Sequence, residues 1–259
     1  MASRDQLGHH GVDDATLKYA VASGAVLRIR SGWVALPTAP PDVVAAVRVG
    51  GRLSCLSRLR HEDIWCLRDS RLHVRVAPTA RRLASPHDRA VPLGRPERFG
   101  VVVHRSLPAP YLDEPEGAVD SFAWALLHAT VCQPRLDAIV TLDSALKNGR
   151  VSRTELDFAF AHLPSKCRAY LELTDENAAS GLETKARLGL QRYNIRSRSQ
   201  VEIRGVGFVD LLIGERLVIE VDGREWHVVD ILRALVARDE HRWAARHRKA
   251  GLGTGAELV

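Results

Sequence analysis

Residues 208–222 form an apolar double run interrupted by three carboxylates, Asp210, Glu220 and Asp222, with Gly214-Glu215-Arg216 at its middle. A three-residue loop carrying a glycine that can adopt positive φ predicts a β-hairpin. That loop pairs Ile213 with Leu217, Leu211 with Ile219, Asp210 with Glu220, Val209 with Val221 and Phe208 with Asp222. Side chains alternate along a strand, so Val209, Leu211, Ile213, Leu217, Ile219 and Val221 share one face. Asp210, Glu220 and Asp222 gather on the other. A two-residue loop would set Asp210 against Ile219 and mix the faces, the kind of one-residue slip that a buried face selects against.

Leu212 and Val218 fall on the carboxylate face and predict that its far end is covered. Carboxylates crowded on a covered face cannot all stay charged without a cation. A hard divalent ion, Mg²⁺ or Mn²⁺, takes oxygen ligands and answers that need. The simpler reading is a hairpin whose acids face solvent.

Ser180-Gly-Leu-Glu183, Gly205-Val-Gly-Phe-Val-Asp210 and Val218-Ile-Glu220-Val-Asp-Gly-Arg-Glu-Trp-His227 together resemble very-short-patch-repair-like endonuclease domains, which have the restriction-endonuclease-like α/β/α fold. The resemblance covers about residues 178 to 228. It implies that Asp210 and Glu220 ligate the metal, that Glu183 lies on the helix before the sheet, and that Asp222 stands where many relatives carry Lys. His227 then becomes a candidate for proton transfer or leaving-group contact. Glu183 also stands three residues after Ser180, the capping-box spacing, so a helix-capping role and a catalytic role are both open. His227 is one of eleven histidines, and an ordinary packed histidine is the alternative there. After His227 the chain departs from the family pattern. Residues 228–249 read as one helix followed by a Gly-rich end, which predicts a domain incomplete at its C-terminal end.

The N-terminal segment has a different signature. Arg4 to His10 and Asp13 to Ser23 are predicted helices, the second stopped by Gly24 in a C′ position. Val26–Arg30 and Trp33–Leu36 make a hairpin through Ser31-Gly32. Two helices followed by a small hairpin is the order of a winged helix-turn-helix. With Leu53-Ser-Cys-Leu-Ser-Arg58, Trp65 and Arg71-Leu-His-Val-Arg-Val76, the stretch resembles the N-terminal domain of type IV, abortive-infection antitoxins. The resemblance implies a recognition helix exposing Thr16 and Lys18 and a wing strand carrying Arg28 and Arg30 toward double-stranded DNA. Asp13 and Asp14 are good helix caps but would repel phosphate, and a protein-interaction role is the alternative.

The expected whole is an α+β multidomain chain of 259 residues: a winged helix at 1–80, a linker with one strand at 81–117, a helical region at 118–175 that carries no chemistry, and the endonuclease-like domain at 176–259. A formal charge of +6 is compatible with nucleic acid without requiring it. No segment is long and apolar enough to span a membrane and no signal-peptide pattern is present, so a cytoplasmic, membrane-free protein is expected. Cys55, Cys66, Cys132 and Cys167 are scattered without a C-x-x-C pair and read as separate reduced thiols, not as a zinc site. Two functions follow as expectations. One is a DNA-binding, Mg²⁺-dependent endonuclease in repair, phage defence or a toxin–antitoxin locus. The other is an antitoxin-like transcriptional regulator, possessing a cognate toxin, with a catalytically inactive nuclease fold.

Overall fold

The computed structural model describes residues 1–105, 107, 112, 116–204 and 206–221, and the backbone of 232–236. It divides into two units, Met1–Glu172 and Leu173–Val259.

In the first unit, a short β1 (Ala2–Ser3) leads into α1 (Arg4–His9), where Ser3 and Gln6 form a reciprocal capping box. Asp13 caps α2 (Asp14–Ala22) by accepting the Thr16 N–H at 2.8 Å. Gly24, at φ +74°, ends that turn as its position after the helix requires. β2 (Leu27–Arg30) and β3 (Trp33–Ala35) form the expected hairpin, and β1 joins it to give a sheet of order β1-β3-β2. The ladder shifts between Arg28 and Arg30. Ile29 between them is buried, and Arg28 and Arg30 line one concavity.

α3 (Pro41–Val49), β4 (Arg52–Leu53), α4 (Cys55–Leu59), β5 (Leu72–Val76) and β6 (Val101–Arg105) follow. β6, the strand expected inside a linker, pairs in parallel with β5 to complete a sheet of order β4-β5-β6. The segment before it is packed: Ala84 N–H donates to the Val49 carbonyl at 3.1 Å, and Leu93 is buried in the core of Ile29, Val47, Val74 and Val101. Residues 106, 108–111 and 113–115 of the expected linker lie outside the described residues.

α5 (Phe122–Cys132) starts at its Ser121 cap, later than expected. Residues 118–120 pair instead with β4, through Leu53 N–H to the Ala118 carbonyl and Asp120 N–H to the Leu53 carbonyl. α6 (Arg135–Lys147), α7 (Arg153–Phe160) and α8 (Ser165–Leu171) complete the unit. Their apolar faces close on Leu56, Leu59, Trp124, Leu127 and Phe160. As expected for this region, Ala and Leu at helical spacing are core.

The second unit places α9 (Gly181–Arg192) against a sheet of order β10-β9-β8-β7, formed by β7 (Ser197–Ile203), β8 (Gly207–Ile213), β9 (Leu217–Val221) and β10 (Leu232–Val236). The hairpin register is the three-residue one, with Ile213↔Leu217, Leu212↔Val218 and Leu211↔Ile219, and Gly214 at φ +59°. Val209, Leu211, Leu212, Val218 and Ile219 are all buried. The tail corrects the sequence reading. Where one helix was expected, Leu232–Val236 is a strand paired antiparallel with Leu217–Val221. An open edge on β9 would leave unpaired backbone groups, and Leu232–Val236 pairs with it. The second helical layer of an α/β/α sandwich is not among the described residues.

Candidate functional site

The structure brings two of the expected carboxylates, Glu183 and Asp210, together through a partner the sequence did not suggest. Gln200 on β7 donates its side-chain amide both to Glu183 Oε2, at 2.9 Å, and to Asp210 Oδ1, at 3.1 Å. One amide therefore spans the acid on α9 and the acid on β8. Gln200 sits at φ +49°, a left-handed conformation that costs a non-glycine residue free energy and persists where the surroundings over-determine it.

Asp210 Oδ2 accepts the Val221 N–H at 2.8 Å. This bond takes the place of the expected Val209↔Val221 pairing, and the β8–β9 ladder stops at Leu211↔Ile219. Glu220 precedes Val221 on β9 and is half-buried.

Glu183 serves the start of its helix. Ser180 caps α9 by accepting the Glu183 N–H at 3.2 Å. The Glu183 carboxylate is buried, at 5 % exposure, and accepts the Ala179 N–H at 2.9 Å as well as the Gln200 amide. It secures the helix start and faces Asp210 across Gln200. Asp222 and His227 lie outside the described residues.

At the N-terminal end, Lys18 and Arg28 line one shallow concavity of about 140 Å³ with Arg4, Asp14 and Gly32. Asp14 is ion-paired with Arg4, which offsets its repulsion of phosphate. Thr16 is exposed on the same helix but does not line the concavity. Arg30 does line it, yet its guanidinium is committed elsewhere. It donates to the carbonyls of Arg48 at 3.0 Å, Val49 at 3.1 Å and Arg82 at 2.5 Å. Arg30 thus ties β2 to the C-terminal end of α3 through these carbonyls.

A third constellation assembles inside the first unit. Cys55 at the start of α4, His73 on β5, His104 on β6 and Cys132 at the end of α5 bring one potential ligand atom each to within 4.8 Å of one another. His73 Nδ1 lies 3.1 Å from His104 Nε2 and 3.9 Å from Cys132 Sγ. His73 Nε2 is 3.2 Å from Asp69 Oδ2, at ion-pair distance but not aligned as a hydrogen bond.

The Arg71 guanidinium, with help from His73, holds the Asp69 carboxyl well below the usual range. The hydrogen bond from Cys55, with the rings of His104 and His73 beside it, pulls the Cys132 thiol down to about 3, while burial pushes Cys55 well above its ordinary value. His128 is wedged between His104 and Trp124, with ring centroids 5.2 Å and 5.9 Å away. Burial, aided by His104 and Arg75, lowers its pKa to about 3 and keeps it neutral.

No family model and no solved structure matches the chain. It is similar to two proteins of Mycobacterium tuberculosis named "Uncharacterized protein MT2308" (strain CDC 1551 / Oshkosh) and "Uncharacterized protein Rv2248" (strain ATCC 25618 / H37Rv), at 29 % identity over 156 residues. The matched stretch is 56 % of this chain and 56 % of each relative, so the chain spans about half the length of the curated relatives it matches.

Two features escaped sequence reasoning for different reasons. Gln200 has no motif, and its role follows from lying opposite Asp210 in the β7–β8 register, between Ser199↔Leu211 and Val201↔Val209. Cys55 and Cys132, read as separate thiols, meet because β5 and β6 pair in parallel and α4 packs on α5. Sequence spacing carries no trace of that convergence, although Arg71-Leu-His-Val-Arg-Val76 places a histidine in the middle of an apolar strand, an oddity that calls for a partner.

Proposed function

We propose that this chain is a DNA-binding protein whose Leu173–Val259 unit is an endonuclease-like domain hydrolysing phosphodiester bonds with a divalent metal, in repair, phage defence or a toxin–antitoxin locus. The observation that carries the reading is the Gln200 amide spanning Glu183 and Asp210. It gathers carboxylates from a helix and a strand at the hairpin that also bears Glu220.

The donor set fits a hard cation, because every candidate ligand atom is an oxygen. Asp210 and Glu220 would hold Mg²⁺ or Mn²⁺, which when bound supplies an activated water and offsets charge on the phosphate. Gln200 orients the two acids before any ion arrives, and the buried Glu183 keeps that amide in place. Asp222 or His227 would assist proton movement to or from the reacting oxygens. Lys18 and Arg28, with exposed Thr16, would contact the DNA backbone.

The test is cleavage of supercoiled plasmid by the full chain. Mg²⁺ or Mn²⁺ should support nicking and chelation should stop it. Asp210→Asn and Glu220→Gln should abolish it, and His227→Ala should reduce it by about 10²-fold or more, as expected for losing a general acid or base.

One feature favours a second reading. Both Asp210 oxygens already accept hydrogen bonds, from Gln200 and from Val221, so the carboxylate is satisfied without an ion. On that reading the protein is an antitoxin-like regulator with a toxin partner, and the nuclease fold is a scaffold. A folded, DNA-binding protein whose trace cleavage is the same in Asp210→Asn as in wild type decides for the regulator.

A further inference from the structure

We propose that Cys55, His73, His104 and Cys132 bind one zinc ion in a closed, structural Cys₂His₂ site, separate from the carboxylate site and independent of the nuclease reading. The four ligand atoms lie within 4.8 Å of one another. A tetrahedral ion with Zn–S of about 2.3 Å and Zn–N of about 2.0–2.1 Å separates its ligand atoms by about 3.3 Å for two nitrogens and about 3.6 Å for nitrogen and sulfur. The corresponding separations are 3.1 Å for His73 Nδ1 to His104 Nε2 and 3.9 Å for His73 Nδ1 to Cys132 Sγ. Small side-chain adjustments suffice to admit the ion.

Three further observations point the same way. Cys55 stands at φ +49° at the first position of α4, a backbone cost that a structure retains when that thiol must face a given direction. Cys55 and His73 are fully buried, and a polar cluster in a core is costly unless each member has a strong partner. His73 presents Nδ1 to the cluster while its Nε2 lies 3.2 Å from Asp69 Oδ2. Metal-bound histidines characteristically place a carboxylate behind the ring in this way, fixing the tautomer.

Two thiolates and two imidazoles in a tetrahedral array select zinc over the hard cation of the carboxylate site. With four protein ligands no position remains for water or substrate, so the ion is structural. Its ligands come from α4, β5, β6 and α5, and it would fasten the sheet to the helical layer.

The experiment is metal analysis of the full chain, purified under reducing conditions. About one zinc per chain should co-purify, and Asp210→Asn should leave that content unchanged. After stripping, Co²⁺ should give tetrahedral d–d bands and thiolate-to-cobalt charge transfer. Cys132→Ser and His104→Gln, at the two half-buried positions, should remove the zinc and the charge-transfer band. Cys167→Ser, at a buried cysteine outside the cluster, should retain both. If the ligand variants fail to fold, the wild-type cobalt spectrum decides alone. A folded wild type that carries no zinc and gives cobalt no thiolate band overturns the proposal, as does zinc content indifferent to Cys132→Ser in folded protein.

Discussion

Arg75 illustrates how single residues fix this fold. Its guanidinium is bidentate on Asp120, with Nε to Oδ2 and Nη2 to Oδ1 both at 2.7 Å, and it lies over Trp124 at 4.4 Å. Both partners are almost completely buried. Two charges taken out of water are tolerable only with paired, well-directed hydrogen bonds. Asp120→Ala leaves the guanidinium buried without its anion, and should cost about 3–5 kcal/mol of stability in chemical denaturation. A loss below about 1 kcal/mol, the range of an exposed pair, would show that water reaches Arg75. None of this was legible beforehand. Arg75 alternates with His73 in an apparent strand, but nothing in the sequence joins it to an aspartate beyond the expected linker. Arg30 is the converse case, a basic residue whose sequence context suggests phosphate and whose bonds are to carbonyls of its own unit.

Elements were legible where periodicity and turn chemistry agree. The β8–β9 hairpin has both: alternation over each strand and a glycine where positive φ is needed. Its register therefore followed from sequence as far as Leu211↔Ile219, and failed beyond it only because a side chain, Asp210, captured a backbone donor. β10 was missed because the aliphatic run at 228–236 fits a helix or a strand equally by spacing, and the choice is made by the open edge of β9. The α2 and β2 elements were found, and it is the carbonyls held by Arg30 that separate it in role from Arg28. Lys18→Ala and Arg28→Ala should each weaken duplex binding and flatten its salt dependence, by about one counterion per lost phosphate contact. Arg30→Ala should instead lower the melting temperature, because it orphans carbonyls at the end of α3. Mobility shifts across a salt series, paired with thermal melts, separate the outcomes. Equal salt slopes for wild type and Arg28→Ala would remove the nucleic-acid role from this face.

At the scale of the whole molecule, the division at Glu172 lies close to the boundary expected near residue 176, whereas the three segments expected before it merge into one unit. The merger is made by contacts remote in sequence: β5 with β6, Leu53 with Ala118 and Asp120, and Arg75 with Asp120. Local patterns cannot announce such pairings. Among the described residues, the apolar clusters of the first unit share no residue with the small cluster of Val209, Leu212 and Val218 in the second. Separate cores predict separate cooperative transitions, since cooperativity follows shared burial. In calorimetry of the full chain, Asp120→Ala and zinc removal should lower one transition and spare the other. Leu211→Ala, which empties a fully buried position on β8, should lower only the second, by the about 2–5 kcal/mol typical of such a truncation. Zinc that binds only the folded first unit stabilises that unit alone, because linkage acts through the state that holds the ligand. A single transition that moves under both substitutions would show one cooperative body, and would shift the candidate carboxylate site and the Cys/His cluster from independent features to coupled ones.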